Sequence, residues 1–244
     1  MNICVSSDVG KIREINQDSY FYCENDQLPI FVVADGMGGH NAGEIASNLA
    51  IQIIKEAYNR DKEKIILKTL ELPRFINEAL KEANKRVFNE SKKQECYQGM
   101  GTTITMGFIY EREIFIGHIG DSRAYLLRNE ELLQLTQDHS LVAELVRNGS
   151  ISQEEARNHP QKNIITRALG TDSNVNIDIV SRELEDKDTI ILCTDGLTNM
   201  VSENRIREIL LNCESLEDGC NTLIDTANAL GGFDNSTVVI IKAS

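Results

Sequence analysis

Three apolar runs along the chain each end on an aspartate. Phe31-Val32-Val33-Ala34 leads into Asp35-Gly36, 114–120 leads into Asp121, and 189–194 leads into Asp195-Gly196. Short runs rich in β-formers predict buried strands, so each run delivers one carboxylate to a sheet edge. A lone Asp-Gly after an apolar run is more often only a turn; the repetition gives these three weight. Residues 2–9, 20–23 and 30–34 read as the opening strands, with a polar stretch from Arg13 to Asp18 between the first two. After Gly36-Met37-Gly38-Gly39, Ile45, Leu49, Ile53 and Ala57 recur at helical spacing, and a second helix begins near Pro73 with Ile76, Leu80, Ala83 and Val87 on one stripe. Both stripes predict core packing.

From Gly101 the period shortens to that of strands: 102–110, 113–119, 122–127 and 131–135, joined by Glu111-Arg112, Gly120-Asp121 and Asn129-Glu130. Links this short predict antiparallel neighbours, since a parallel pair needs a long crossover. Leu141, Leu145 and Val146 predict a helix closing at Asn148-Gly149, and Ser152-x-x-Glu155 has the form of a capping box. The following residues have no period, and 141–166 reads as a small insertion. Strands resume at 175–182 and 189–194. Ser202 caps a helix, Leu216, Cys220, Leu223, Ala227 and Leu230 form the face of another that stops at Gly231, and 236–241 is the closing strand. Strands interrupted by helix pairs predict an α+β fold, with helices covering an antiparallel sheet system. With no repeat or linker, 1–244 reads as one domain.

Composition narrows the partners. A chain of 244 residues with 41% hydrophobic content can bury a sizeable core. The balance of 25 Lys+Arg against 38 Asp+Glu, net charge −13, argues against nucleic acid or an anionic membrane as partner. An anionic substrate then needs local positive charge, from metal ions or a placed arginine. The six cysteines contain no C-x-x-C pair and read as reduced and structural; with no signal core or apolar span, the expected location is the cytoplasm.

The candidate carboxylates are Asp18, Asp35, Asp121, Asp195 and Asp234. If several converge they repel one another, and the cluster stays partly protonated or binds cations. Oxygen ligands without Cys or His favour Mg2+, Mn2+ or Ca2+ over zinc. A dinucleotide site is disfavoured, because Asn41 stands where the third glycine belongs and antiparallel runs follow; Gly10-Lys11 lacks the rest of a P-loop.

The motifs Arg13-x-x-Asn16-Gln17-Asp18, Ala34-Asp35-Gly36-Met37-Gly38-Gly39-His40, Gly101-Thr102-Thr103, Gly120-Asp121-Ser122-Arg123, Leu135-Thr136-x-Asp138-His139-Ser140, Arg167-Ala168-Leu169-Gly170, Thr194-Asp195-Gly196-Leu197 and Asp234-Asn235 occur in one order. In that order and spacing they resemble the metal-dependent protein serine/threonine phosphatases, the type 2C class, and are most similar to its short bacterial members over essentially the whole chain. The resemblance implies a sandwich of two antiparallel sheets flanked by helix pairs, a four-layer αββα arrangement, with 141–166 as a flap beside the site. It implies two Mn2+ or Mg2+ ions and a possible third, weaker site. Asp35 would bridge the two metals with the Gly36 carbonyl on one, Asp195 and Asp234 would hold the other, and Asp121 with Asp195 would form the third site. Arg13 would bind phosphate, and Asp18 and Asn235 would stand in the outer shell.

The implied reaction is attack on phosphoserine or phosphothreonine in proteins by a metal-bridging hydroxide, without a phosphoenzyme, opposing bacterial Ser/Thr kinases. The expected form is a monomer acting on phosphorylated proteins. A negative surface leads to the further expectation that basic-flanked substrates are favoured. Eukaryotic members carry a proton-donating histidine where Met37 stands here, and His40 is the nearest substitute. His118 and His139 are expected in hydrogen-bonded structural roles, and His159 exposed. Two alternatives stay open: a catalytically silent phosphoprotein-binding relative, and a phosphatase dedicated to one regulatory phosphoprotein.

Overall fold

Strands that are apolar on both faces have to be covered on both faces, and the layering follows from that requirement. The computed structural model describes residues 1–25, 27–39 and 42–242. Among them, β1 (Asn2–Asp8), β11 (Ser236–Lys242), β10 (Thr189–Cys193), β7 (Arg123–Arg128) and β8 (Glu131–Gln134) lie side by side in that order as one antiparallel sheet. The second sheet has the order β2 (Asp18–Cys23), β3 (Ile30–Met37), β5 (Ile104–Tyr110), β6 (Glu113–Ile119) and β9 (Asp178–Glu183), with the short β4 (Gly101–Thr102) paired to the end of β3.

Alternate residues of one strand serve different layers. On β3, Phe31 and Val33 join Leu126, Ile190, Leu192, Val239 and Ile241 in a core between the sheets. Ile30, Val32 and Ala34 face the other way, against α1 (Ala42–Ile66) and α2 (Leu72–Glu90). On the far side, Ile191, Cys193, Val238 and Ile240 pack against Ile206 of α6 (Glu203–Asn212) and Leu223 of α7 (Leu216–Ala229). Helix pair, sheet, sheet and helix pair make the four layers expected. Among the described residues no helix is long and apolar enough to cross a membrane, and all six cysteines are free thiols.

One connection departs from the reading of the sequence. The short link Gly120-Asp121-Ser122 does not join antiparallel neighbours: β6 lies between β5 and β9, and the chain crosses to the other sheet to form β7. Gly120 makes the bend possible with φ 112°, where a Cβ would stand 2.5 Å from the Thr103 side chain. The Glu111-Arg112 and Asn129-Glu130 links do close hairpins, with φ of 50°, 66°, 51° and 65°. The run 102–110 breaks at Thr103, and β3 continues to Met37 because Gly36 and Met37 pair with Thr102 and Gly101.

The flap is an excursion sewn shut at its base. Leu141 N–H donates to the Ile164 carbonyl at 2.9 Å and Thr166 N–H to the His139 carbonyl at 2.8 Å. Within it, α3 (Leu141–Arg147) and α4 (Gln153–Arg157) have no buried residue, and α4 opens with the expected Ser152/Glu155 capping box.

Candidate functional site

The aspartates meet where the two sheets end together. Asp35 lies opposite Asp18 in the β2/β3 register. Its backbone is pinned from the next strand: Asp35 N–H donates to Thr103 Oγ1 at 3.0 Å, and the Asp35 carbonyl accepts from Thr103 N–H at 2.8 Å and Thr102 Oγ1 at 2.9 Å. Asp195 comes from the other sheet, as the first residue of the four-residue helix α5 (Asp195–Thr198) that follows β10. Asn199 Nδ2 donates to its Oδ2 at 2.9 Å. Asp234 precedes β11, and Asp121 stands at the crossing between sheets, 7% exposed.

Glycines let backbone replace side chain behind this row. A Cβ on Gly36 would stand 2.1 Å from the Gly43 carbonyl oxygen, and one on Gly196 would stand 1.9 Å from that of Asn235. The start of α1 and the turn after β10 can therefore close against the carboxylate-bearing segments only without those side chains.

Asp18 Oδ2 accepts from Thr194 Oγ1 at 2.8 Å and Thr237 Oγ1 at 2.7 Å, so Asp18 ties β2 to the opposite sheet. Motif reading named Thr194 without giving it a role and passed over Thr237, which its apolar strand hid. Asn235, expected in the outer shell, acts as a clamp. Its Nδ2 donates to the carbonyls of Val9 and Ile15, at 2.9 and 3.0 Å, and its Oδ1 accepts from Gln17 N–H at 2.8 Å. It fixes both ends of the loop that carries Arg13. Asn235→Ala would strand these groups in a site 5% exposed, and is expected to cost about 2–4 kcal/mol in urea unfolding. It should also weaken phosphate binding; unchanged stability would show that water replaces the clamp.

Arg13 reaches the row directly, with Nη2 2.8 Å from Asp234 Oδ2 on a side chain 52% exposed. His40 lies outside the described residues. His118 and His139 make hydrogen bonds through both ring nitrogens. His139 Nδ1 accepts from Gly120 N–H at 3.0 Å and its Nε2 donates to Asp178 Oδ2 at 3.0 Å, so the Gly120-Asp121 bend rests on this imidazole. His118 sits between Thr105 Oγ1 and the Gln137 carbonyl, and burial followed by the neighbouring His139 pushes its pKa down to about 4. His159, expected to be exposed, is half-buried and caps Gln161 N–H through Nδ1 at 3.1 Å.

The row carries more negative charge than Arg13, on Asp234, and Arg123, near Asp121 and Asp195, offset. Burial, then the charges of Asp18, Asp195 and Asp121, raise Asp35 well above the carboxylate range. Asp121 is raised by burial and then by Asp195, and Asp195 by burial and then by Asp234. Asp18 is pushed by burial to about 7 despite its two hydroxyl donors. Asp18 Oδ1 and Asp121 Oδ1 are buried without a hydrogen-bond partner. Among the described residues no three His, Cys, Asp or Glu groups already form a cage around one point. Hard divalent cations do not require one, since Mg2+ keeps several waters and takes one or two carboxylates. Converging carboxylates, partnerless oxygens and an all-oxygen donor set fit such ions.

Known proteins resemble the chain over nearly its whole length. Residues 12–226 match the family model described as Protein phosphatase 2C. The serine/threonine phosphatase stp of Listeria monocytogenes serotype 4b is 43% identical over 97% of this chain and 93% of its own length. The protein phosphatase PhpP of Streptococcus pneumoniae serotype 2 is 40% identical over 99% of this chain and 97% of its own. Among solved structures, the Mycobacterium tuberculosis serine/threonine phosphatase PstP/Ppp superimposes with a TM-score of 0.88 at 35% identity, covering 98% of this chain and 97% of that one. The catalytic domain of PstP in complex with two manganese ions gives 0.85 at 34% identity, covering 98% and 96%.

Proposed function

This chain belongs to the protein phosphatase 2C family and is a metal-dependent protein serine/threonine phosphatase, and from that premise we propose how its own residues divide the work. Asp35, the Gly36 carbonyl, Asp195 and Asp234 would hold two Mn2+ or Mg2+ ions, and Asp121 with Asp195 would offer a third, weaker position. When bound, such ions lower the pKa of water and neutralise charge on phosphoryl oxygens. Arg13 presents paired N–H donors to the phosphate of a phosphoserine or phosphothreonine, and its contact with Asp234 keeps it at the edge of the row until substrate arrives. Asp18, fixed by Thr194 and Thr237, keeps its free Oδ1 available to accept a proton or orient water. His40 donates a proton to the departing oxygen, in place of the residue that Met37 displaces. The 141–166 flap belongs to the single 1–244 catalytic domain and lies beside the substrate path.

The observation that carries this reading is the pair of partnerless buried oxygens, on Asp18 and Asp121, in a row whose members raise one another. Such a row is costly unless cations or protons enter it. Substrates are phosphoproteins; we assign them to Ser/Thr kinases and place the enzyme, as a monomer, in the cytoplasm, where six free thiols stay reduced. The test is hydrolysis of a phosphothreonine peptide and of p-nitrophenyl phosphate with Mn2+, repeated in EDTA. Turnover should vanish in EDTA and return with excess Mn2+. Absent turnover with retained phosphopeptide binding would establish the silent binding relative instead, and metal-independent turnover would remove the carboxylates from their assigned role.

A further inference from the structure

A cleft of about 790 Å³ starts at Asp121 and Asp195 and runs beneath the flap. One wall is the β7/β8 side of the sandwich, where the acids are already engaged. Asp138 takes Arg123, with Nε 3.0 Å from both carboxylate oxygens and Nη2 2.7 Å from Oδ2. Glu203 accepts from the Tyr125 hydroxyl at 3.3 Å and lies 3.5 Å from Arg123 Nη1. The opposite wall belongs to the flap and carries Arg147, Arg157 and Lys162. Arg147 gives one N–H to the Asp138 carbonyl at 3.3 Å. Among the described residues, neither the Arg157 nor the Lys162 side chain has a hydrogen-bond or ion-pair partner. Val142, Val146 and Ala156 supply apolar lining between these charges.

On one wall Asp138 and Glu203 share Arg123, the carboxylates at the mouth are assigned to cations, and the cationic side chains of the cleft left without a partner among the described residues are Arg157 and Lys162 on the flap. We infer that this wall is a specificity subsite: Arg157 and Lys162 take an acidic group of the substrate polypeptide, a carboxylate or a second phosphoryl group, a few residues from the phosphoserine or phosphothreonine. The inference rests on the phosphatase reading and names its substrate class. It runs against the preference for basic flanks that net charge −13 suggests. The two differ in range. At ~0.15 M salt the field of the whole surface fades over about 8 Å, whereas a contact pair inside a cleft is screened much less. Two partly exposed pairs support a preference of about fivefold.

The test compares kcat/KM at that salt for three matched phosphothreonine peptides, with neutral flanks, with glutamates, and with a second phosphothreonine at the same offset. p-Nitrophenyl phosphate, which carries no flanking residues, serves as the internal control. The wild type should favour the acidic peptides over the neutral one by about fivefold. The double variant Arg157→Glu/Lys162→Glu should reverse that order while changing p-nitrophenyl phosphate turnover less than about twofold, and Arg157→Lys/Lys162→Arg should retain it. Preference for the glutamate peptide makes carboxylates sufficient; preference confined to the doubly phosphorylated peptide assigns the subsite to a phosphoryl group. Equal kcat/KM on all three peptides would overturn the inference, as would a charge-reversed variant that slows every substrate alike. Absence of wild-type turnover on p-nitrophenyl phosphate would count against the phosphatase reading alone. Fluorescence anisotropy of the same peptides, labelled, on wild type and double variant would then decide the subsite by the same order of preference.

Discussion

Asp35→Asn is expected to remove nearly all turnover and, in the absence of divalent cations, to make the protein harder to unfold. Both effects have one cause. Asp35 stands among Asp18, Asp195 and Asp121, and burial with those charges holds its carboxyl well above the ordinary range. Asparagine keeps the shape and the backbone bonds to Thr102 and Thr103 but removes the charge that two cations would share. The expected loss in kcat/KM on p-nitrophenyl phosphate with Mn2+ is about 10³-fold or more. Without metal the same change relieves repulsion, and a gain of about 1–2 kcal/mol near pH 8 would raise Tm by about 4 °C. Circular dichroism melts in EDTA supply the second measurement. A variant that keeps a tenth of wild-type activity removes Asp35 from the metal site, and one that melts lower in EDTA shows the repulsion to be small.

Metal removal should also reverse the way stability depends on pH. Carboxyls whose folded pKa is raised contribute stability that is fully present below the unfolded value and is lost as pH rises through the folded value. For Asp18 that window runs from the ordinary carboxylate value of 3.8 to about 7. Asp35 and Asp121, raised well above the same starting point, extend the loss to higher pH. In EDTA, stability should therefore fall between about pH 5 and about pH 8, where most proteins are near their maximum. Mn2+ at a hundred times its dissociation constant should restore about 2.7 kcal/mol. The restoration should be larger at the higher pH, because protons compete with cations for the same oxygens. A metal-free protein with flat stability across that range would show that the carboxylates do not converge in solution.

The three strand-to-aspartate runs were legible because each records two local requirements, an apolar strand and a carboxylate near its end, although β3 runs two residues past Asp35. The change of period after Gly101 and the caps at Ser152 and Ser202 were legible for the same reason, being written within a few residues. What the sequence withheld was long-range. Nothing local in Thr194 or Thr237 tells that their hydroxyls meet on Asp18, 176 and 219 positions away. The passage of Ile119 to Arg123 between sheets also depends on β9 pairing with β6 from far downstream. Asn235 read as an outer neighbour of the metals because its contacts with Val9, Ile15 and Gln17 span more than 200 residues. The short helix that starts at Asp195 is only one turn, too brief for a period to register.

The origin of the aspartates has a consequence far from them. Asp35 rides on one sheet, while Asp195 and Asp234 ride on the other, and between the sheets lies an apolar layer of Phe31, Val33, Leu126, Ile190, Leu192, Val239 and Ile241. That layer is the spacer that sets how far apart the carboxylates stand. Substitutions that change the volume of those buried side chains are therefore expected to shift one bank of carboxylates against the other, at positions remote from every carboxylate.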